Sequence, residues 1–163
     1  MVKLAIQIKA IGENVASILP NNEDFRWHVK LKNGGNETDK FIYICQSNQV
    51  DMKGSRGTAN HCQKIGGKDC SVNILEDKIA AYNLPREDDG DDNDKIQLWQ
   101  TIVAFECRGC EVSEFMFSDG WTIQGTDGGE YDDVDLSDDW YDVDNNGEPM
   151  SLTEIEYKIV KIK

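Results

Sequence analysis

The amino-acid sequence predicts an all-β protein: a single β-sandwich-like domain of two similar halves built from long antiparallel hairpins. Three observations predict it. Apolar residues recur at every second position in most of the apolar runs, as side chains do when they alternate between the faces of a strand. Glycine and asparagine, which tolerate positive φ, fall between those runs where hairpins need them. A single short stretch reads as helical. At 163 residues the chain is long enough to bury one core without disulfide or metal support.

The elements follow in order. In MVKLAIQIKA, residues Val2, Leu4, Ile6 and Ile8 share one face of the first strand. Residues 13–19 are the helical candidate, stopped by Pro20. In FRWHVKL, Phe25, Trp27, Val29 and Leu31 point one way and Arg26, His28 and Lys30 the other, so His28 is expected in solvent. Asn33-Gly34-Gly35-Asn36 makes a turn, and FIYIC (41–45) is apolar on both faces, as an internal strand would be. Gly66-Gly67 makes a second turn, and Val72 and Ile74 mark a short strand after it. REDDGDDND (86–94) cannot form a strand, because adjacent carboxylates repel and offer nothing to bury; it reads as a solvent loop between halves 1–86 and 87–163. Residues 96–107 hold a long β-branched run, answered across the Arg108-Gly109 turn by residues 112–117. In LTEIEYKIVKI, Ile155, Tyr157 and Ile159 again share a face. The stretch LKNGGNETDKF (31–41) is echoed by FECRGCEVSEF (105–115), which suggests that the halves are related by duplication.

Charge excludes some functions. Residues 1–86 carry 12 Lys/Arg and 9 Asp/Glu, a net of +3; residues 87–163 carry 5 and 22, a net of −17; together they give −14. No basic face offers itself to nucleic acid, and the acidic half would repel both nucleic acid and anionic lipid. That half favours a basic surface on another protein, with Asp132, Asp133 and Asp135 as candidate contacts. No apolar run approaches the ~20 residues that span a membrane, and the alternating N-terminus lacks the apolar core of a signal peptide. Five cysteines, an odd number, point to reduced thiols and hence to the cytoplasm or the nucleus.

Cys107-Arg108-Gly109-Cys110 is the one CxxC of the sequence. Between strands this spacing lets two thiolates converge on a tetrahedral zinc, but a closed site needs a second pair of ligands. Cys62 and Cys70 are candidates, as are Cys45, His61 and His28, none at knuckle spacing. A redox pair would open a helix that lowers the thiol pKa, and none follows here. Reduced structural cysteines, with no metal and no cofactor, are therefore the expectation. Zinc or copper(I) held by Cys107 and Cys110 with Cys62 or Cys70 is the alternative. Asp142-Val143-Asp144-Asn145-Asn146-Gly147 begins like a calcium loop but lacks the bidentate Glu at its twelfth position, where Thr153 falls. Lys53, Ser55 and Arg56, in KGSRGT, suit a loop for an anion or a partner's carboxylate, without Walker spacing. No nucleophile–base pair emerges, and no enzyme is expected.

The segment LAIQIKAIGENVASILPNNEDFRWHVKLK (4–32), the loop MKGSRGTA, IAAYN, TIVAFECRG and DLSDDW together resemble the CXXC-motif-containing zinc-binding protein family of eukaryotes. The resemblance runs almost end to end. It implies an all-β fold of two similar halves, no established catalytic activity, and a zinc site made by two CxxC knuckles. It places the first knuckle after VKLK, at Asn33 and Asn36, and the second after Gln63-Lys64, at Ile65 and Lys68. Both turns are about two residues shorter than the family pattern. Neither keeps a thiolate, so the resemblance combined with these residues implies a zinc-free member.

Overall fold

The computed structural model describes residues 1–52, 57–85 and 99–163. Its strands, in chain order, are β1 (Val2–Glu13), β2 (Val15–Pro20), β3 (Arg26–Asn33), β4 (Asn36–Glu37), β5 (Ile42–Cys45), β6 (Val50–Asp51), β7 (Thr58–Ala59) and β8 (His61–Ile65). There follow β9 (Lys68–Ile74), β10 (Tyr82–Asn83), β11 (Gln100–Arg108), β12 (Glu111–Met116), β13 (Trp121–Gly125), β14 (Glu130–Val134), β15 (Trp140–Val143) and β16 (Pro149–Ile162). A 3-10 turn at Glu76–Lys78 is the sole helical element among the described residues. The predicted all-β class is what the chain adopts. No helix among the described residues is long and apolar enough to cross a membrane.

Three sheets enclose one core. The largest runs β15-β16-β1-β11-β9-β8, the second β10-β2-β13-β14, and the third β12-β3-β4 with β5 also paired to β3. The two-stranded β6-β7 pair stands apart. All these pairs are antiparallel. Residues 1–86 and 87–163 both contribute strands to each of the three main sheets. The alternation of β3 holds as read: Phe25, Trp27, Val29 and Leu31 are buried, and Trp27 packs against Phe25, Phe115 and Trp121.

Three local expectations are corrected. Residues 13–19 are not helical: β1 runs to Glu13, Asn14 turns the chain at φ 58, and β2 follows. A seven-residue helix has too few turns to offset its nucleation, whereas β2 finds partners on both sides, in β10 and β13. FIYIC is not internal, because β5 pairs with β3 alone. Its outward Tyr43 is 43% exposed and is covered in part by the Arg26 guanidinium, 4.7 Å from the ring centroid. Arg108-Gly109 is not a hairpin turn. β11 pairs with β1 and β9, while β12 pairs with β3, so the chain changes sheets here. The two echoing segments therefore differ: 31–41 contains a hairpin, 105–115 a corner.

That corner depends on Gly109, which sits at φ 77; a Cβ there would lie 2.8 Å from the Asp69 carbonyl oxygen. Gly109→Ala combines left-handed backbone with a backbone clash. It is expected to destabilise the fold by about 2 kcal/mol, read as a lower urea midpoint at unchanged slope.

Candidate functional site

The turns predicted at 33–36 and 66–67 form and meet. Asn33 pairs with Asn36 across the first turn, with Gly34 at φ 60. Ile65 pairs with Lys68 across the second, where Gly66 and Gly67 both take positive φ, at 59 and 80, as a two-residue type I′ hairpin requires. The Asn33 carboxamide Nδ2 donates to the Ile65 carbonyl at 3.1 Å. The Asn36 carboxamide lies over Gly66, where any Cβ would overlap it. The two turns are thus clamped by amide chemistry.

The β11–β12 corner adds a cluster of thiols against these turns. Cys70, Cys107 and Cys110 are all buried. Cys110 is a close electrostatic neighbour of both Cys107 and Cys70. The Cys70 thiol also donates to Gly109 O at 3.1 Å and to Lys68 O at 3.4 Å. A cavity of about 470 Å³ opens beside them, lined in part by Met1, Lys32, Asn33, Lys68, Cys107 and Cys110. The hydrogen bond with Cys107 does most to raise the Cys110 thiol far above its ordinary range, followed by burial and the neighbouring Cys107 charge. Burial, then Cys110, raises Cys70. Thiols raised in this way stay protonated at neutral pH and are poor nucleophiles.

This has a consequence for stability. A thiol whose pKa rises on folding contributes stability that is fully present below its unfolded value, about 8.5, and lost as pH climbs toward the folded value. The unfolding free energy of the wild type should therefore fall between pH 9 and 11 more steeply than that of Cys110→Ala. Urea melts across that range, compared between the two proteins, check it.

Of the other cysteines, Cys62 is half-buried on β8 and lines a separate groove with Asp51, Lys64, Asp69 and Arg108. Burial and Asp69 raise its pKa. The thiol of Cys45 donates to Glu23 O at 3.4 Å and lies 3.1 Å from Ser47 Oγ. His61 Nε2 lies 2.7 Å from Gln63 Oε1. His28 is half-buried and not fully in solvent, with Nδ1 3.0 Å from Ser118 Oγ. Among the described residues no group of three or more His, Cys, Asp or Glu is arranged to hold a metal ion. The zinc positions that the resemblance implies do not fit zinc either. Asn33 and Asn36 offer neutral amides, the first bonded to the opposite turn and the second packed over Gly66, Ile65 has no donor atom in its side chain, and Lys68 is a cation.

Asp142–Gly147 closes the β15–β16 hairpin. Asp144 Oδ1 accepts the Asn146 and Glu148 N–H groups at 2.8 and 2.9 Å, and Gly147 sits at φ 79. The calcium-like spacing is thus turn chemistry. Asp132 and Asp133 lie on β14 and Asp135 just beyond it, all exposed. Asp132 Oδ1 accepts from Thr122 Oγ1 at 3.0 Å, and hydrogen bonds from Ser137 hold the Asp135 carboxyl below its usual range. Lys53, Ser55 and Arg56 lie outside the described residues.

One signal for the thiol cluster was present in the sequence. Val72 and Ile74 mark a buried face of β9, and stepping back two residues puts Cys70 on that face. The Asn33–Ile65 bond had no such signal, because it joins residues 32 apart through a backbone carbonyl.

The fold and site define an antiparallel β protein whose two glycine-rich turns face each other. The chain belongs to the family described as CXXC motif containing zinc binding protein, eukaryotic, which it matches over residues 5–160. It is 38% identical to the Mus musculus CXXC motif containing zinc binding protein and 36% to that of Homo sapiens, covering 99% of each chain in both cases. It superposes on the crystal structure of C1orf123 with a TM-score of 0.84 at 35% identity, covering 98% of this chain and 99% of that one. A hypothetical protein from Plasmodium falciparum, with a TM-score of 0.81 at 24% identity over 98% of this chain and 100% of that one, shares the fold.

Proposed function

We propose that this chain is a zinc-free, non-catalytic member of the family that acts by binding a protein with a basic surface. The observation that carries the reading is charge: residues 109–157 contain fifteen Asp/Glu and no Lys or Arg. Such a surface raises the local concentration of cationic partners and speeds their encounter. Raised thiol pKa values and histidines bonded to neutral neighbours leave little for nucleophilic or base catalysis. The amide clamp between the turns supports the zinc-free part, and free thiols fit the cytoplasm or the nucleus.

Two measurements test the proposal. Native mass spectrometry of protein purified with added zinc is expected to show the mass of the bare chain; one zinc per chain would overturn the metal-free reading. Partner binding is expected to weaken with salt and on replacing Asp132, Asp133 and Asp135 with Asn. Affinity indifferent to both would overturn the interaction reading.

The convergence of Cys70, Cys107 and Cys110 favours a second reading, a thiophilic ion. Two thiolates suffice for linear copper(I), whereas zinc wants four ligands. Copper(I) uptake that survives Cys107→Ser and Cys110→Ser together would remove it.

A further inference from the structure

We propose that the outer face of the β15–β16 hairpin is a docking surface for an arginine-bearing segment of a partner protein. The inference rests on the acidic-module reading above and locates the partner on it. Trp140 packs against Tyr131 at 6.0 Å and its cross-strand partner Leu152 is fully buried, so this row of the hairpin faces inward. Alternation then sends Tyr141 and Val143 outward, where they are 68% and 54% exposed. The register Tyr141–Ser151–Glu13, Val143–Pro149 and Thr153–Ile11 sets these residues on one face of three neighbouring strands, with Ile11 45% exposed. The Tyr141 ring has no aromatic or cationic neighbour among the described residues, although Tyr43 and Trp99 are each stacked by cations.

The occupant follows from charge and from what the strand edge refuses. β15 is the outermost strand of its sheet, yet the Val143 end of its free edge and the turn after it are occupied. The Val143 N–H donates to Asp142 Oδ1 at 2.7 Å, Val143 O accepts from Tyr131 OH at 3.5 Å, and the Asn145 N–H donates to Asp127 Oδ2 at 3.1 Å. An added strand would have to displace all three, so a partner lies on the face. Exposed Glu13 lies on that face, exposed Asp139, Asp142 and Glu148 lie elsewhere along the same hairpin, and Lys9, a nearby cation on β1, is paired with Glu156 at 3.2 Å. A cationic segment is therefore matched in charge. Arginine fits better than lysine, because its planar guanidinium stacks on Tyr141 while bonding a carboxylate bidentately, and its stem covers Val143 and Ile11.

Fluorescence anisotropy with labelled octa-arginine and octa-lysine peptides tests this at low and physiological salt. Octa-arginine is expected to bind the wild type more tightly. Tyr141→Ala should weaken octa-arginine about fivefold and remove the preference, Tyr141→Phe should keep it, and Asp132→Asn/Asp133→Asn/Asp135→Asn should weaken both peptides. An unchanged preference in Tyr141→Ala, with weakening in the triple variant, overturns the docking site and spares the acidic module. No binding of either peptide, or no effect of the triple variant, overturns both. A dimer in sedimentation that Tyr141→Ala dissociates assigns the face to a second copy and likewise overturns the proposal. Tyr141 is exposed, and unchanged circular dichroism will show that its variants fold.

Discussion

Trp27→Ala will lower the unfolding free energy by about 4 kcal/mol, the usual cost of emptying a buried tryptophan site. Trp27 is 1% exposed on β3, the central strand of its sheet. Its ring meets Phe25 edge-on at 4.5 Å and Trp121 at 5.8 Å and 87°, and approaches Phe115 at 6.4 Å. Phe25 also meets Trp121 at 4.6 Å, and Phe115 meets Tyr157 of β16 at 5.5 Å. One side chain thus ties the β3 sheet to β13 of the second sheet directly, and to the six-stranded sheet through Phe115. Removing it leaves a cavity lined by rigid aromatic rings that cannot collapse, which puts the cost near the upper part of the range. Trp27→Phe keeps most of the contact and should cost less than half as much. Guanidinium melts followed by circular dichroism measure both; a Trp27→Ala unfolding free energy within about 0.5 kcal/mol of wild type would mean that the sheets are held elsewhere.

The alternation in β1 and β3 was readable because one face of each strand is buried against a large core, so the period of two appears in the residues themselves. β2 was not readable. VASILP holds a short apolar run that suits either structure, and its pairing with β10 and β13 involves residues more than sixty positions away. The corner at Gly109 failed for the same reason: glycine announces a turn, while the choice between hairpin and sheet change belongs to distant partners. β14 and β15 were hidden by composition. Asp132, Asp133 and Asp142 repel one another in sequence, but they sit on strands at the edges of their sheets, where every carboxylate reaches water. In the site, the two turns were legible from Asn33-Gly34-Gly35-Asn36 and Gly66-Gly67. The convergence of Cys70 on Cys107 and Cys110 was legible only as one option, because β8 also offers Cys62. Strand parity decides it: Cys70 faces inward and Cys62 lines an open groove.

The combined variant Asn33→Cys, Asn36→Cys, Ile65→Cys and Lys68→Cys is expected to gain one tightly held zinc and a zinc-dependent stability that the wild type lacks. Both turns already place their end residues three apart across a two-residue loop, the spacing of a knuckle, and the Asn33–Ile65 bond of 3.1 Å shows that the turns touch. Four thiolates there would replace a neutral amide pair, an alkyl group and an ammonium by a full tetrahedral donor set. With free zinc at a hundred times the dissociation constant, binding adds about 2.7 kcal/mol to the unfolding free energy, and a chelator should remove it. Without metal the same variant should be less stable than wild type, since it has lost the carboxamide clamp, which is worth about 1 kcal/mol. Cys70→Ser and Cys110→Ser in the same background keep the native thiols from capturing the ion. A variant that binds no zinc would mean that the two turns as they stand cannot bring four thiolates onto one ion. A wild type that a chelator destabilises would overturn the proposed zinc-free reading, because the Asn33 carboxamide bond needs no ion.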